Sequence, residues 1–171
     1  MSRNHITIDA PPECVYEVLT DAEAYGDWVV GAKQIRGVDR RWPHRGAAFH
    51  HRVGAGPFEL RDESKILEAK ENRRLVLEVR VQPLGEAHVI VDLRPRSRGR
   101  RTRVTLTEYP TAGPARHALG LPLQAATHAR NAWSLRRLRR IAERRWAESR
   151  RSRGRRSKKS RRARLSGSHR G

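Results

Sequence analysis

Residues 124–148 read QAATHARNAWSLRRLRRIAERRWAE and contain neither proline nor glycine. Alanine, leucine, arginine and glutamate dominate this segment, and all four favour helix. Its apolar residues recur at spacings of three and four and mark one helical face: Ala132, Leu135, Leu138, Ala142 and Trp146. The opposite face is rich in arginine. Because a helix of this kind is marginal alone in water, the pattern predicts that it covers a surface formed by the rest of the chain.

The sequence upstream of this helix alternates short strand-like runs with turn residues. We predict a first strand over His5–Asp9 and six more over residues 31–39, 47–54, 57–67, 74–82, 86–94 and 102–109. The connections among the last six are too short for the crossovers that parallel strands need, so the pairing is expected to be antiparallel.

Two short helices are predicted between the first strand and the others. The first spans about Pro12–Thr20 and turns Val15, Val18 and Leu19 inward, and Asp21 can cap the second, which runs to about Tyr25. The fold class is therefore α+β: a seven-stranded curved antiparallel sheet wrapped around a long C-terminal helix, with two short helices after the first strand.

Charge divides the chain into a domain, residues 1–148, and a tail, residues 149–171. The formal net charge is +20, and half of it lies in residues 147–171, which hold 11 Lys or Arg and one acid. With a single large apolar residue, Leu165, the tail is predicted to be disordered. Clusters of basic residues like those in the tail contact nucleic acid or anionic membranes weakly and without sequence preference. The alternative is a solvated tail without a dedicated partner.

Other sequence features narrow the class of protein. One cysteine, Cys14, excludes an internal disulfide and fits a reducing compartment, and neither a signal peptide nor an apolar run of membrane-spanning length is present, so a cytoplasmic location is predicted. The sequence lacks CxxC, HExxH, P-loop and GxSxG motifs, and we predict neither a metal nor a cofactor. Oligomeric state is left open.

Three segments resemble the START-like helix-grip superfamily (SRPBCC), in its polyketide cyclase/dehydrase-like branch. They are ITIDAPPECVYEVLTDAEAYGDWVVGA (6–32), FHHRVGAGPFELRDESKILEA (49–69) and RNAWSLRRLRRIAE (130–143). The resemblance implies a sheet that wraps the last helix and leaves a cavity for a hydrophobic small molecule. It specifies no catalytic residues, because the branch has no single shared catalytic motif. It also does not specify a function, because the superfamily includes cyclases, lipid carriers, hormone receptors and chaperone activators.

Strand alternation predicts which side chains face the helix. Over residues 58–67 the charged set Glu59, Arg61, Glu63 and Lys65 alternates with an inward set: Phe58, Leu60, Asp62, Ser64 and Ile66. A tight turn at Ala55-Gly56 would pair Phe49 with Asp62 and His51 with Leu60, which places His51 diagonally from Asp62 on the inward face.

These patterns nominate a small set of site residues. The candidate ligand-binding residues are Trp28, Phe49, His51, Leu60, Asp62, Ser64, Glu108, Asn131 and Leu135. His51 and Asp62 are the candidate catalytic pair, because a carboxylate can orient an imidazole that exchanges protons; alternatively, they stabilise the hairpin end or His51 lies at the solvent rim. For Glu108 the alternatives are solvent exposure or a salt bridge with Arg130, and for Trp28 the alternative is core packing.

Three functions remain open at this stage. The first is binding or transport of a hydrophobic small molecule or lipid between sheet and helix. The second is a polyketide cyclase or dehydratase using His51 and Asp62, and the third is an adaptor that contacts nucleic acid or membrane through residues 149–171. Trp133 falls off the main apolar helix face, and residues 110–122 are expected to form either a mobile lid or a plain connector.

Overall fold

A computed structural model of the chain describes residues 1–55, 58–81, 85–113 and 121–167. Within these ranges, the side chains of residues 32–36, 50–55, 58–62, 81, 121–123 and 154–167 lie outside the description.

The structure has seven strands and three helices in the described part of the chain. In order they are β1 Ser2–Ile8, α1 Pro12–Thr20, α2 Ala22–Trp28, β2 Ala32–Val38, β3 Ala48–Ala55, β4 Phe58–Lys70, β5 Arg74–Val81, β6 Gly85–Arg96, β7 Arg101–Ala112 and α3 Leu121–Gly167. All neighbouring strands are antiparallel, in the spatial order β1-β7-β6-β5-β4-β3-β2. The predicted α+β helix-grip architecture is confirmed.

The core lies between the concave face of the sheet and the helices. Side chains that alternate inward along the strands are buried against it: Ile66, Leu75, Leu77, Val91, Leu93, Val104 and Leu106. The helices add Val15, Val18 and Leu19 from α1 and Leu135, Leu138 and Ala142 from α3. Full burial of a large aliphatic side chain contributes about 1.5–3 kcal/mol to stability. The buried residues of the apolar face predicted from residues 124–148 therefore stabilise the position of α3.

Polar contacts fix α3 along the β1 edge of the sheet. Asn4 Nδ2 lies 3.2 Å from His128 Nε2 and donates to the His128 carbonyl oxygen at 3.1 Å. Ser134 Oγ accepts a hydrogen bond from the Val30 backbone N–H at 3.0 Å, which ties α3 to the chain just after α2. The helix is thus held from two sides.

Asp21 caps α2, as predicted. Its Oδ1 accepts hydrogen bonds from the backbone N–H groups of Glu23 (3.0 Å) and Ala24 (3.3 Å), and Arg145 of α3 donates to its Oδ2 at 2.6 Å. Burial alone would raise the pKa of Asp21, but the hydrogen bonds from Arg145 and from the two backbone N–H groups hold it below its ordinary value. The same carboxylate therefore starts one helix and anchors another.

The structure corrects one expected strand boundary. Residues 110–112 belong to β7, not to a loop, because Pro110 pairs with Ala87 next to a bulge, where a strand tolerates proline; residues 114–120 of the expected lid lie outside the described residues. α3 extends to Gly167, beyond the helix end expected at about Glu148. The division into a 1–148 domain and a tail stays a prediction.

Candidate functional site

Strands β3 and β4 bring the predicted site residues onto shared rows of the sheet. His51 lies directly opposite Asp62, Phe49 opposite Ser64, and Val53 opposite Leu60. The expected register, with Phe49 opposite Asp62, is wrong by two residues, because Ala55 pairs with Phe58. A shift of two keeps every side chain on its face. The side chains of His51, Leu60 and Asp62 lie outside the described set, and their roles stay predictions.

Phe49 sits in an aromatic cluster formed with Tyr25, Trp28 and Trp42. Its ring centroid lies 4.5 Å from that of Tyr25 and 4.7 Å from that of Trp42, both edge-on, and Tyr25 meets Trp28 in the same way at 5.4 Å. The Trp42 indole is anchored by a hydrogen bond from its Nε1 to the Thr20 carbonyl oxygen at 2.6 Å. The cluster joins α2 to the β3 end of the sheet.

In the part of the chain that the structure describes, two polar atoms beside this cluster are buried without a hydrogen-bond partner. They are Ser64 Oγ, on a side chain that is 0% exposed, and Trp28 Nε1, on a side chain that is 3% exposed. Ser64 faces Phe49 across the strands, and Trp28 packs against Tyr25, so the two atoms flank the aromatic cluster. An unsatisfied buried donor or acceptor costs about 1–3 kcal/mol. A polar atom supplied from outside the chain would recover this energy.

Glu108 is held by two residues of α3. Asn131 Nδ2 and Arg130 Nη2 both donate to its Oε2, at 2.9 Å and 2.5 Å, and the Glu108 side chain is 16% exposed. The salt bridge with Arg130, weighed above as an alternative for Glu108, is present. Asn131 is buried in the same network, whereas Leu135, one turn further along, packs in the hydrophobic core.

The inward face is not closed everywhere. Val79, Ala87 and Val89 point inward yet stay partly exposed, whereas Leu75, Leu77 and Val91 beside them are buried. We call these three residues the open end of the concave face. Val79 pairs with Ser64 on β4 and with Ala87 on β6, so the open end adjoins the row that carries the unpartnered hydroxyl.

Among the described residues, no three His, Cys, Asp or Glu side chains come close enough together to hold a metal ion. The described helices also include none that is long and apolar enough to cross a bilayer.

Residues 2–143 match the model of the family described as "Polyketide cyclase / dehydrase and lipid transport". The chain belongs to this family. No curated protein sequence matches the chain.

Solved structures similar to this family member share its fold. Protein CV1439 from Chromobacterium violaceum is 22% identical, with a TM-score of 0.64 over 82% of this chain and 96% of that one. DynU16, a putative protein in the dynemicin biosynthetic locus, is 20% identical, with a TM-score of 0.61 over 83% of this chain and 46% of that one. The Aha1 dimer from Colwellia psychrerythraea is 17% identical, with a TM-score of 0.61 over 83% and 95%. At these identities the likeness concerns the fold alone.

The sequence nominated Phe49, Ser64, Trp28, Glu108 and Asn131 as site residues, and this role stays a prediction. It did not nominate Tyr25 or Trp42, which complete the aromatic cluster. Trp42 lies in WPHRG (42–46), which reads as a turn. A large aromatic residue in a predicted turn suggests that its side chain packs against the core, and this feature could have indicated Trp42.

Proposed function

We propose that this chain binds or carries a hydrophobic small molecule or lipid between the concave face of the sheet and α3. The observation that carries the proposal is the open end: Val79, Ala87 and Val89 offer partly exposed apolar surface on the inner side of the sheet, beside the buried Leu75, Leu77 and Val91. Ligand pockets are typically apolar with a few polar groups. The family's description, which includes lipid transport, supports the same class of ligand.

The unpartnered atoms beside the aromatic cluster suggest a polar feature of the ligand. Trp28 Nε1 can only donate a hydrogen bond, and Ser64 Oγ can donate or accept. A carbonyl or hydroxyl oxygen on an otherwise apolar ligand would satisfy either atom, and the rest of the ligand would lie on the open end. The proposed ligand is therefore hydrophobic with at least one oxygen.

Blocking the open end tests this proposal. Wild-type protein should bind the neutral dye Nile red saturably, with a rise in its fluorescence. Val79→Trp should weaken that binding by at least about tenfold, because the indole fills the space that the ligand would use. The matched control is Arg80→Trp, since Arg80 is the next residue of β5 and is exposed on the opposite face.

The possible outcomes of this experiment distinguish a ligand site on the inner face from its absence. Loss in Val79→Trp with retention in Arg80→Trp supports a site on the inner face. Absence of saturable binding by wild type, or equal binding by both variants and wild type, contradicts it. Thermal denaturation of both variants distinguishes a blocked site from an unfolded protein.

The second candidate function is a polyketide cyclase or dehydratase. The observation that favours it is the register, which sets His51 directly opposite Asp62, where a carboxylate can orient an imidazole. His51→Ala should then abolish turnover of a polyketide-like substrate while Nile red affinity stays unchanged. Turnover that persists in His51→Ala excludes this role, and a shift in affinity alone favours the binding function.

A further inference from the structure

The face of α3 that points away from the sheet carries a regular row of exposed side chains. It comprises Trp133, Arg137, Arg140, Arg144 and Arg151. We call this row the outer stripe. Successive members are three, four or seven residues apart, so they lie along one side of the helix, opposite Leu135, Leu138 and Ala142. At about 1.5 Å per residue the row is roughly 27 Å long.

Trp133 differs from the other three tryptophans. Its side chain is 58% exposed, whereas Trp28 is buried and both Trp42 and Trp146 pack against the core. Indole has an apolar body and one N–H donor, and it favours the boundary between water and an apolar phase. An exposed tryptophan at one end of a basic row is therefore complementary to a partner surface whose outer layer is anionic and whose inner layer is apolar.

The arginines of the outer stripe are available for an anionic partner. Arg130 and Arg145 of the same helix are engaged by Glu108 and Asp21. Among the described residues, none of the four stripe arginines forms an ion pair. Residues 130–153 contain ten arginines and two glutamates, and Glu143 Oε1 is occupied by the backbone N–H of Asp9. The field around the stripe is therefore strongly positive.

We propose that the outer stripe docks the protein on an anionic lipid bilayer. α3 would lie in the plane of the membrane, with Trp133 at the level of the headgroups and the arginines on lipid phosphates. Nucleic acid phosphates would also pair with the arginines. Nucleic acid has no apolar layer, however, into which the single indole at one end of the stripe could insert. Because the proposal uses the outer face of α3, it does not depend on the proposed ligand site.

Tryptophan fluorescence of the full-length chain tests the proposal directly. Vesicles of phosphatidylcholine mixed with phosphatidylglycerol should shift the emission of Trp133 to the blue and protect it from acrylamide, and pure phosphatidylcholine should do neither. The Trp133 signal is isolated as the difference between wild type and Trp133→Phe. Absence of a blue shift at vesicle concentrations that bind the protein overturns the proposal.

Charge reversal supplies a second readout with a matched control. Arg137→Glu with Arg140→Glu should weaken vesicle binding by at least about tenfold, because two phosphate contacts are replaced by repulsion. Arg94→Glu with Arg96→Glu changes the net charge equally at exposed positions of β6 and should cost less than about threefold. Equal losses in the two double variants overturn the proposal, since binding would then follow net charge alone. Duplex DNA that protects Trp133 from acrylamide as well as the vesicles do also overturns it.

Discussion

Phe49→Ala is expected to lower the free energy of unfolding by about 3–5 kcal/mol. Phe49 is 0% exposed, and its ring lies between those of Tyr25 and Trp42. Truncation removes both edge-on contacts and leaves a cavity at the point where α2 meets β3. Urea denaturation of the wild type and the variant, followed by circular dichroism, measures the difference.

Val38→Ala is the matched control for this substitution. Val38 is the cross-strand partner of Phe49 on β2, yet it is 42% exposed, so the loss should stay within about 0.5 kcal/mol. A loss below about 1 kcal/mol for Phe49→Ala would contradict the packing described above. It would indicate that Phe49 lines an open space, as expected of a residue whose main role is ligand contact.

The sheet could be predicted from the sequence because its alternation is strong. On β4 the outward set of residues 58–66 is entirely charged, and the inward assignment of Ser64 and Ile66 agrees with their complete burial. The apolar face of residues 124–148 likewise indicated which side of α3 packs on the core, and placed Trp133 off that face. In both elements a single period carries the information.

The register between β3 and β4 could not be obtained in this way. Alternation has a period of two, so it cannot distinguish the expected pairing of Phe49 with Asp62 from the observed pairing of Phe49 with Ser64. Only the position of the turn decides between them, and the segment Ala55-Gly56-Pro57 allows a two-residue connection at either place. The difference matters chemically, because it moves His51 from a diagonal to a direct neighbour of Asp62.

The parts of the site that depend on tertiary packing could not be predicted from the sequence. Nothing local to Trp42 indicates that its ring will meet Phe49, and nothing local to Ser64 indicates that its hydroxyl will be left without a partner. The Glu108 network could be predicted because Glu108 lies on a strand, and Asn131 and Arg130 on a helix, whose inward faces follow from the sequence pattern. Sequence periodicity assigns faces, and packing then decides which residues on a face meet.

Gly85→Ala is expected to destabilise the protein by about 3 kcal/mol or more. Gly85 begins β6 with φ +124, a conformation that favours glycine, and a Cβ there would lie 2.2 Å from the Ala112 carbonyl oxygen and 3.0 Å from Gly113 Cα. The obstacle is backbone at the end of β7, so a side-chain rotation cannot relieve it. Chemical denaturation gives the loss, and amide hydrogen exchange should show the largest increase at Ala112 and its neighbours.

Gly99→Ala separates the two causes of that loss. Gly99 lies in the β6–β7 turn with φ +80, but a Cβ there would meet nothing within 4 Å, so it incurs only the cost of a left-handed backbone, about 1–2 kcal/mol. The excess of Gly85→Ala over Gly99→Ala then measures the close approach of β6 to the end of β7. Gly85 pairs with Val81, which pairs with Asp62, so this approach fixes the sheet end that carries His51 and Asp62. Equal losses in the two variants would mean that β7 yields readily at Ala112, and that this end of the concave face is held by other contacts.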